Sequence, residues 1–238
     1  MKIPTITGII DRRILVNFTV DMAIAKSIVP APFTPKLYEG KAIAGICLIR
    51  LKNVRPKGLP GFIGIGSENG AHRIAVEWEE DGLVKEGVYI PRRDTSSLIN
   101  TLAGGKIFPG KHYKAKFDVK EDNNNYHVAF VSSDGTSISV DAKTTSQLNE
   151  DSIFKKLESA SSFFEKGAAG YSPNGQKYEG LLLTTHRWEM KPLEVTSVKS
   201  TFFEDETIFP KGSVKFDNAL LMTDISHEWS SLTNKSCY

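Results

Sequence analysis

The stretch Ile14-Leu15-Val16-Asn17-Phe18-Thr19-Val20-Asp21 decides the class of fold. Every second position from Ile14 to Val20 carries a large apolar side chain, and this period of two is typical of a strand with one buried face. Asp21 is a good N-cap residue for a short helix over positions 22–29. The stretch therefore predicts a strand that leads directly into a short helix.

Strand patterns dominate the rest of the chain. Positions 41–51 are apolar on both faces and predict a central strand, and the Asp81-Gly82 pair predicts a hairpin. Further strands are predicted at 113–119, 126–132, 136–142, 181–190, 195–203 and 215–222. Helical spacing is limited to 96–103 and to a segment near 153–164. We expect a mainly β (α+β) fold, with a loop at 55–61 and turns at 170–175.

Length and composition fit one globular domain over residues 1–238. The chain is 40% hydrophobic and 24% charged, which is enough apolar material for a substantial core. Its 30 basic residues nearly balance 28 acidic ones, leaving a formal charge of +2. No dense lysine or arginine cluster is present in the sequence, so we expect no nucleic-acid partner.

The apolar segments are short. The longest, at 42–49, is far below the ~20 residues that a membrane-spanning helix needs. No secretory apolar segment develops after the first residues, so we expect a cytoplasmic protein with no membrane partner. Cys47 and Cys237 are interpreted as reduced thiols, with Cys47 a small core residue.

Motifs for metals, cofactors and serine nucleophiles are incomplete. The five histidines are scattered and form no His-Glu-x-x-His motif, so we expect no metal site. Gly64-Ile65-Gly66 opens no helix, which argues against a dinucleotide site, and no cofactor is expected. Pro173 would disrupt the helix that must follow a nucleophile elbow at 170–174.

Lys111 is the first candidate for chemistry, because it lies directly behind the turn Phe108-Pro109-Gly110. A lysine amine has an ordinary pKa near ~10.4 and attacks a carbonyl only if burial or a neighbouring cation lowers that pKa. Arg92 and Arg93 at a strand end could clamp an anionic substrate, although a solvated surface pair is the alternative interpretation. Glu68, in a turn, carries no functional weight by itself.

Several short motifs resemble those of a known superfamily. Asn17-Phe18-Thr19-Val20-Asp21 and Ser67-Glu68-Asn69-Gly70 resemble the acetoacetate decarboxylase-like superfamily in order and spacing. Arg55-Pro56-Lys57-Gly58-Leu59-Pro60, Phe216-Asp217-Asn218-Ala219-Leu220-Leu221 and His227-Glu228-Trp229 look more closely like its branch called domain of unknown function 2071. The resemblance implies an antiparallel conical or barrel-like sheet that encloses a cavity, with a few peripheral helices.

The resemblance also implies roles for individual residues. In the decarboxylases the first lysine of an aromatic-Pro-Lys-Lys motif forms a Schiff base with a β-keto acid. Here Gly110 stands in the place of the first lysine and Lys111 in that of the second. Glu68 matches a cavity glutamate, and Arg12, or Arg13 with a one-residue shift, matches an arginine associated with the substrate carboxylate.

A second alignment sets Pro91-Arg92-Arg93 against the lysine motif. It lacks the preceding helix, and an arginine cannot be deprotonated to act as an amine nucleophile.

Three functions follow as hypotheses. The first is binding of a small oxo-acid or related carboxylate in a β-sheet cavity, without established catalysis. The second is a lyase acting on a β-keto acid, in which Lys111 forms the imine, Glu68 handles protons and Arg12 holds the carboxylate. The third is a structural or interaction role with no small-molecule chemistry. Exposed strand edges also lead us to expect a homo-oligomer.

Overall fold

The computed structural model of the chain describes residues 4–98 and 109–236. Within them, 13 strands form one sheet. The strands are β1 (Ile6–Val20), β2 (Thr34–Pro35), β3 (Leu37–Tyr38), β4 (Lys41–Pro56), β5 (Ile65–Glu80), β6 (Leu83–Thr95), β7 (His112–Asp122), β8 (Asn125–Ser132), β9 (Ser137–Thr144), β10 (Ala169–Asn174), β11 (Lys177–Thr185), β12 (Lys191–Ser200) and β13 (Val214–Ser236). The helices are α1 (Met22–Ile28), α2 (Leu157–Glu165) and short 3-10 turns at Gly61–Ile63 and Lys166–Ala168. The mainly β prediction is confirmed.

The sheet closes on itself in two rings. The smaller ring runs through β13, β1, β4, β5, β6, β10 and β11 and returns to β13. The larger ring leaves β6 through the meander of β7, β8 and β9 and returns through β12 to β13. Strands β13, β1, β4, β5 and β6 belong to both rings and form the wall between two interiors.

The sheet is mainly antiparallel, as expected, but it is not purely so. Strand β6 pairs in parallel with β7 and with β10, whereas the other pairings are antiparallel among the described residues. A parallel pair needs a long crossover connection between its strands. One such connection joins β6 directly to β7. The path from β6 to β10 is longer, since it passes through the meander of β7, β8 and β9 and then through α2. The turn-rich segment at 170–175 is itself most of β10 and pairs with the β6 edge.

The shared strands bury a different apolar cluster on each face, because successive side chains of a strand point to opposite faces. On the side of the larger ring lie Ile14, Val16, Ala44 and Ile46, which belong to one cluster. On the side of the smaller ring lie Leu15, Ile43, Cys47 and the aromatic residues of α2, which belong to the other. A strand buried on both faces explains why positions 41–51 are apolar throughout.

One predicted local feature differs from the structure, and a second falls largely outside the residues that the structure describes. Asp21 occupies the N-cap position of α1 but makes no capping hydrogen bond, and its carboxylate pairs with Lys41 at 2.6 Å. The helix predicted at 96–103 falls largely on residues outside those that the structure describes, as does Phe108. In the described part of the chain, no helix is long and apolar enough to cross a bilayer.

Candidate functional site

A cavity of about 120 Å³ lies inside the smaller ring. Each of the seven strands of that ring contributes at least one residue to its wall, and His112 of β7 and the 3-10 turn after α2 complete it. Much of the wall is apolar, with the side chains of Ile49, Leu51, Val88, Ile90, Leu181, Leu183 and Trp229. A small concave space with apolar walls and a few polar groups is the usual form of a small-molecule site.

Three arginines line this cavity: Arg13, Arg73 and Arg93. Among the described residues, the hydrogen-bond partners of Arg13 are sulfur atoms, since its Nε donates to Cys47 Sγ at 3.4 Å and its Nη1 lies 3.8 Å from Met222 Sδ. Arg93 donates to the Ser172 hydroxyl at 2.9 Å. Within residues 4–98 and 109–236, none of the three forms an ion pair with a carboxylate.

The cavity is therefore electropositive. Burial lowers the pKa of Arg73 and that of Arg93 to about 10, so both guanidinium groups stay charged at neutral pH. Burial, with Arg93 as a smaller cause, lowers the pKa of His112 to about 3, so this ring is neutral. The carboxylate of Asp94 also borders the cavity, but it accepts hydrogen bonds from Arg92 and Ser132. A small anion would find three cationic donors here.

A buried chain of hydrogen bonds fixes Arg73 from behind. Arg73 donates to the side-chain oxygen of Asn17, and the Asn17 amide donates to Asn218 Oδ1 at 2.8 Å. Asn218 in turn donates to Asp217 Oδ2 at 2.5 Å, while Ser152 donates to the same carboxylate. Each of the two asparagine amides satisfies both of its neighbours in only one orientation. The Asn17 side chain therefore presents its oxygen, an acceptor, to Arg73.

The approach of Asn17 to Arg73 depends on Gly45 of the neighbouring strand. A Cβ atom at Gly45 would lie 2.3 Å from the backbone oxygen of Val16 and 3.2 Å from Asn17 Oδ1. The absence of a side chain at this position therefore leaves the space that the Asn17 amide needs.

Arg12 and Glu68 are together, but outside the cavity wall. Arg12 is almost fully buried and donates to Glu68 Oε2 at 2.6 Å and to Glu121 Oε1 at 2.5 Å. Arg50 bridges the same two glutamates, at 3.5 Å and 2.5 Å. Glu68 is predicted to transfer protons and Arg12 to hold the substrate carboxylate. Together with Arg50 and Glu121 they instead form an ion network on the face of the larger ring.

Arg92 also points away from the cavity. Its guanidinium pairs with Asp94 at 2.7 Å and with Asp134 at 2.7 Å, and it stacks on the Tyr113 ring at 4.1 Å. With two carboxylate partners it is not available as an anion clamp. Its neighbour Arg93 takes the cavity position instead.

Lys111 is exposed to solvent. Its amine lies 4.6 Å from the centre of the Tyr113 ring, and the residue that enters the cavity wall at this point is its neighbour His112. Lys111 and Glu68, predicted to act together, are therefore not brought together at the cavity.

The sequence matches one family model along most of its length. Residues 10–221 match the model of domain of unknown function 2071, described as an uncharacterised conserved protein. The chain belongs to this family. No curated protein matches the sequence at the level that counts as a relative.

Solved structures similar to this family member share the acetoacetate decarboxylase-like fold. An acetoacetate decarboxylase from Legionella pneumophila superposes with a TM-score of 0.61 at 11% identity, over 98% of this chain and 88% of the other. An acetoacetate decarboxylase-like enzyme from Sphingomonas wittichii gives 0.58 at 9% identity, over 99% and 93%. The enduracididine biosynthesis enzyme MppR in complex with pyruvate gives 0.56 at 10% identity, over 98% and 90%. At these identities the likeness establishes the fold.

The backbone at Gly110, the position that the motif resemblance aligns with the first decarboxylase lysine, favours glycine. Gly110 adopts a φ of +78°, which side chains with a Cβ rarely adopt. A Cβ atom at this position would also lie 2.6 Å from Cβ of Ser172. The backbone at the motif therefore has no room for a lysine.

We predict that Gly110→Lys does not restore a working lysine pair and lowers the free energy of unfolding by about 2 kcal/mol, because it adds backbone strain and a steric clash. Urea unfolding at pH 7 measures the change. Gly135→Lys is a matched control, since Gly135 has a φ of +88° but a Cβ atom added there would meet nothing within 4 Å. Equal losses for the two variants would contradict the clash with Ser172.

The described residues contain no group of three or more histidine, cysteine or acidic side chains that could hold a metal ion. The polar groups that line the cavity include three guanidinium groups, a thiol, the neutral imidazole of His112 and the side chains of Asn69 and Asp94. From the sequence, Arg13 and Arg93 could be considered as binding residues, whereas no motif indicated that Arg73, His112 and Cys47 line a site. Strand alternation was the available signal, because Cys47 shares a face with Ile43 and Ile49.

Proposed function

We propose that this protein binds a small carboxylate, with a 2-oxo acid as the ligand class, in the cavity of the smaller ring. The observation that carries the proposal is the set of three guanidinium groups, Arg13, Arg73 and Arg93, that line one cavity without a carboxylate partner among the described residues. Arg73 is buried and the other two are half-buried. Cations that are withdrawn from water are normally paired, so an unpaired group of three favours an anionic ligand.

The size and the walls of the cavity narrow the ligand. A space of about 120 Å³ with mainly apolar walls suits a compact molecule with a short carbon chain and one charged end. The crystallised complex of MppR with pyruvate, on the same fold, supports a 2-oxo acid as the first ligand to test. Imine formation by Lys111 gains no support, because its amine lies in solvent.

We predict that pyruvate binds to the wild-type protein and that Arg13→Met weakens this binding by at least tenfold, since a hydrogen bond to a charged group contributes about 1.5–3 kcal/mol. Arg13 is the best arginine to remove, because its partners Cys47 and Met222 leave no carboxylate unpaired. Isothermal titration calorimetry measures the affinity, and methyl pyruvate is the uncharged comparison ligand.

Arg187→Met is the matched control, because Arg187 is exposed and pairs with Glu189 away from the cavity. It should bind pyruvate as the wild type does. Binding of methyl pyruvate as tight as that of pyruvate, or an Arg13→Met protein with unchanged affinity, would overturn the proposal.

A further inference from the structure

Cys47 lies in the middle of the shared wall, with its side chain at the cavity. It belongs to β4, where its neighbours across the sheet are Leu15 of β1 and Ala71 of β5. The residue is 7% exposed and lines the same space as the three arginines. A small apolar residue would fill this position in the core equally well, so the surroundings of the sulfur decide whether it has a role.

All three cavity arginines interact with the sulfur, and one of them contacts it directly. Arg13 Nε donates to Cys47 Sγ at 3.4 Å. The thiol also interacts electrostatically with the guanidinium groups of Arg73 and Arg93, and in both cases it acts against the lowering of the arginine pKa by burial. Cysteines that react as nucleophiles in proteins lie in electropositive surroundings of this kind.

One N–H group of these arginines also has no acceptor among the described residues. Arg73 is 4% exposed and donates to Asn17, yet its Nε has no hydrogen-bond partner among the residues that the structure describes. Phe164 covers this guanidinium, with the ring centre 5.0 Å from the arginine Cζ. A buried N–H group without an acceptor is costly, so it points to a ligand oxygen in the space beside Cys47.

We infer that Cys47 is a nucleophile that adds to the electrophilic carbon of a small carboxylate held by Arg13, Arg73 and Arg93. The inference rests on the proposed binding of a 2-oxo acid. Sulfur forms a bond to the keto carbon, the carbonyl π electrons move to oxygen, and that oxygen takes the proton that the thiol loses. The product is a hemithioketal, and the reverse step releases the unchanged acid, so no oxidant, reductant or second reactant is required.

Guanidinium groups suit both ends of this reaction. A carboxylate is held by paired N–H donors, and the oxygen that becomes negative during the addition needs a further donor nearby. With three guanidinium groups at one cavity, some can hold the carboxylate while another stabilises the oxygen that becomes negative. The neutral ring of His112 borders the same space and adds no charge.

The test compares two alkylating reagents that differ in charge, iodoacetate and iodoacetamide. With either one, a bond forms between Cys47 sulfur and the CH₂ carbon, the carbon–iodine bond breaks, iodide leaves and the thiol proton passes to solvent. Rates are measured by intact mass in a Cys237→Ser background, so that one thiol is followed. The ratio of the two rates is compared with that of free glutathione.

We expect the iodoacetate-to-iodoacetamide ratio to exceed that of glutathione by about tenfold or more, because clustered positive charge concentrates anions by 10–10³. Arg13→Met should return the ratio to within about threefold of glutathione, and pyruvate should slow the iodoacetate reaction of the wild type. Cys47→Ser should remain unlabelled. With pyruvate labelled with ¹³C at the keto carbon, the wild type should show a tetrahedral carbon signal that is separate from that of free pyruvate hydrate and that Cys47→Ser lacks.

The outcomes separate this inference from the binding proposal. In one outcome pyruvate binds in calorimetry, while iodoacetate is not preferred over iodoacetamide and no Cys47-dependent tetrahedral carbon signal appears. That result would overturn the role of Cys47 as a nucleophile and leave the binding proposal standing. If pyruvate does not bind, the proposed function is overturned and the adduct with it.

Discussion

Arg12→Met is expected to lower the free energy of unfolding by about 3 kcal/mol, as removal of one partner from a buried ion pair does. Arg12 is 1% exposed and contacts both Glu68 and Glu121, so its loss leaves two partly buried carboxylates close together. Arg50 still pairs with both glutamates and limits the damage. Urea unfolding at pH 7 measures the effect.

The neighbouring variant Arg13→Met is the control, because the hydrogen bonds of Arg13 within the described residues go to sulfur and its removal leaves no carboxylate unpaired there. It should lose under about 1 kcal/mol. The two adjacent arginines are thus expected to divide their effects, with Arg12 acting on stability and Arg13 on pyruvate affinity. Similar losses of stability for both variants would contradict the assignment of Arg12 to the ion network.

Acid is expected to destabilise the protein strongly between pH 6.5 and about 4. Burial lowers the pKa of His72 and His112 to about 3 and that of His227 to about 4, whereas a histidine in the unfolded chain has its ordinary pKa of 6.5. As the pH falls through 6.5, the unfolded chain therefore binds protons that the folded chain does not. Each such histidine costs about 1.4 kcal/mol per pH unit, which approaches ~4 kcal/mol per unit for three.

Two carboxylates act in the opposite direction. Burial raises the pKa of Asp94 and of Glu68, so the folded chain binds these protons first and gains stability as the pH falls. Urea unfolding at pH 7, 6 and 5 gives the net slope. His72→Leu should reduce that slope by about 1.4 kcal/mol per pH unit. The ring of His72 is buried against Phe202, its nitrogens have no hydrogen-bond partner among the described residues, and Asp94 Oδ2 lies 3.8 Å from its Nδ1.

His186→Leu is the matched control for the acid experiment, because it removes a histidine that is exposed to solvent. A free energy of unfolding that stays constant from pH 7 to pH 5, or a slope that His72→Leu leaves unchanged, would contradict this account.

Alternation of side chains predicted the strands from sequence but could not predict which arginines reach the cavity. A one-residue bulge in β1 between Ile10 and Arg12 reverses the faces, so that Arg13 and not Arg12 points inward. A second bulge, in β6 opposite His72 and Ile74, does the same for Arg93. Bulges re-aim side chains next to functional sites and leave no mark in hydrophobic periodicity. The choice between Arg12 and Arg13 therefore stayed open in the sequence.

The ring closure and the parallel pairs of β6 also depend on contacts between distant segments. The sequence of β10 predicts turns because Gly170, Pro173 and Asn174 are poor strand formers, yet this strand is held between β6 and β11. Long-range pairing overrides local preference here. By contrast, the double-sided burial of β4 and the meander of β7, β8 and β9 follow from local patterns, and both are present.

The buried chain of hydrogen bonds from Asp217 through Asn218 and Asn17 to Arg73 gives a structural role to residues of the motifs quoted from the sequence. These motif residues lie behind the cavity wall, where they set the direction of a hydrogen-bond relay and the place of one cation. A homologue that keeps all three would keep that cation, while the side chains facing its ligand could vary freely. In this chain the motif residues Asn17, Asp217 and Asn218 therefore fix the position of a charge in the wall, whereas the residues that would select a ligand lie in front of it.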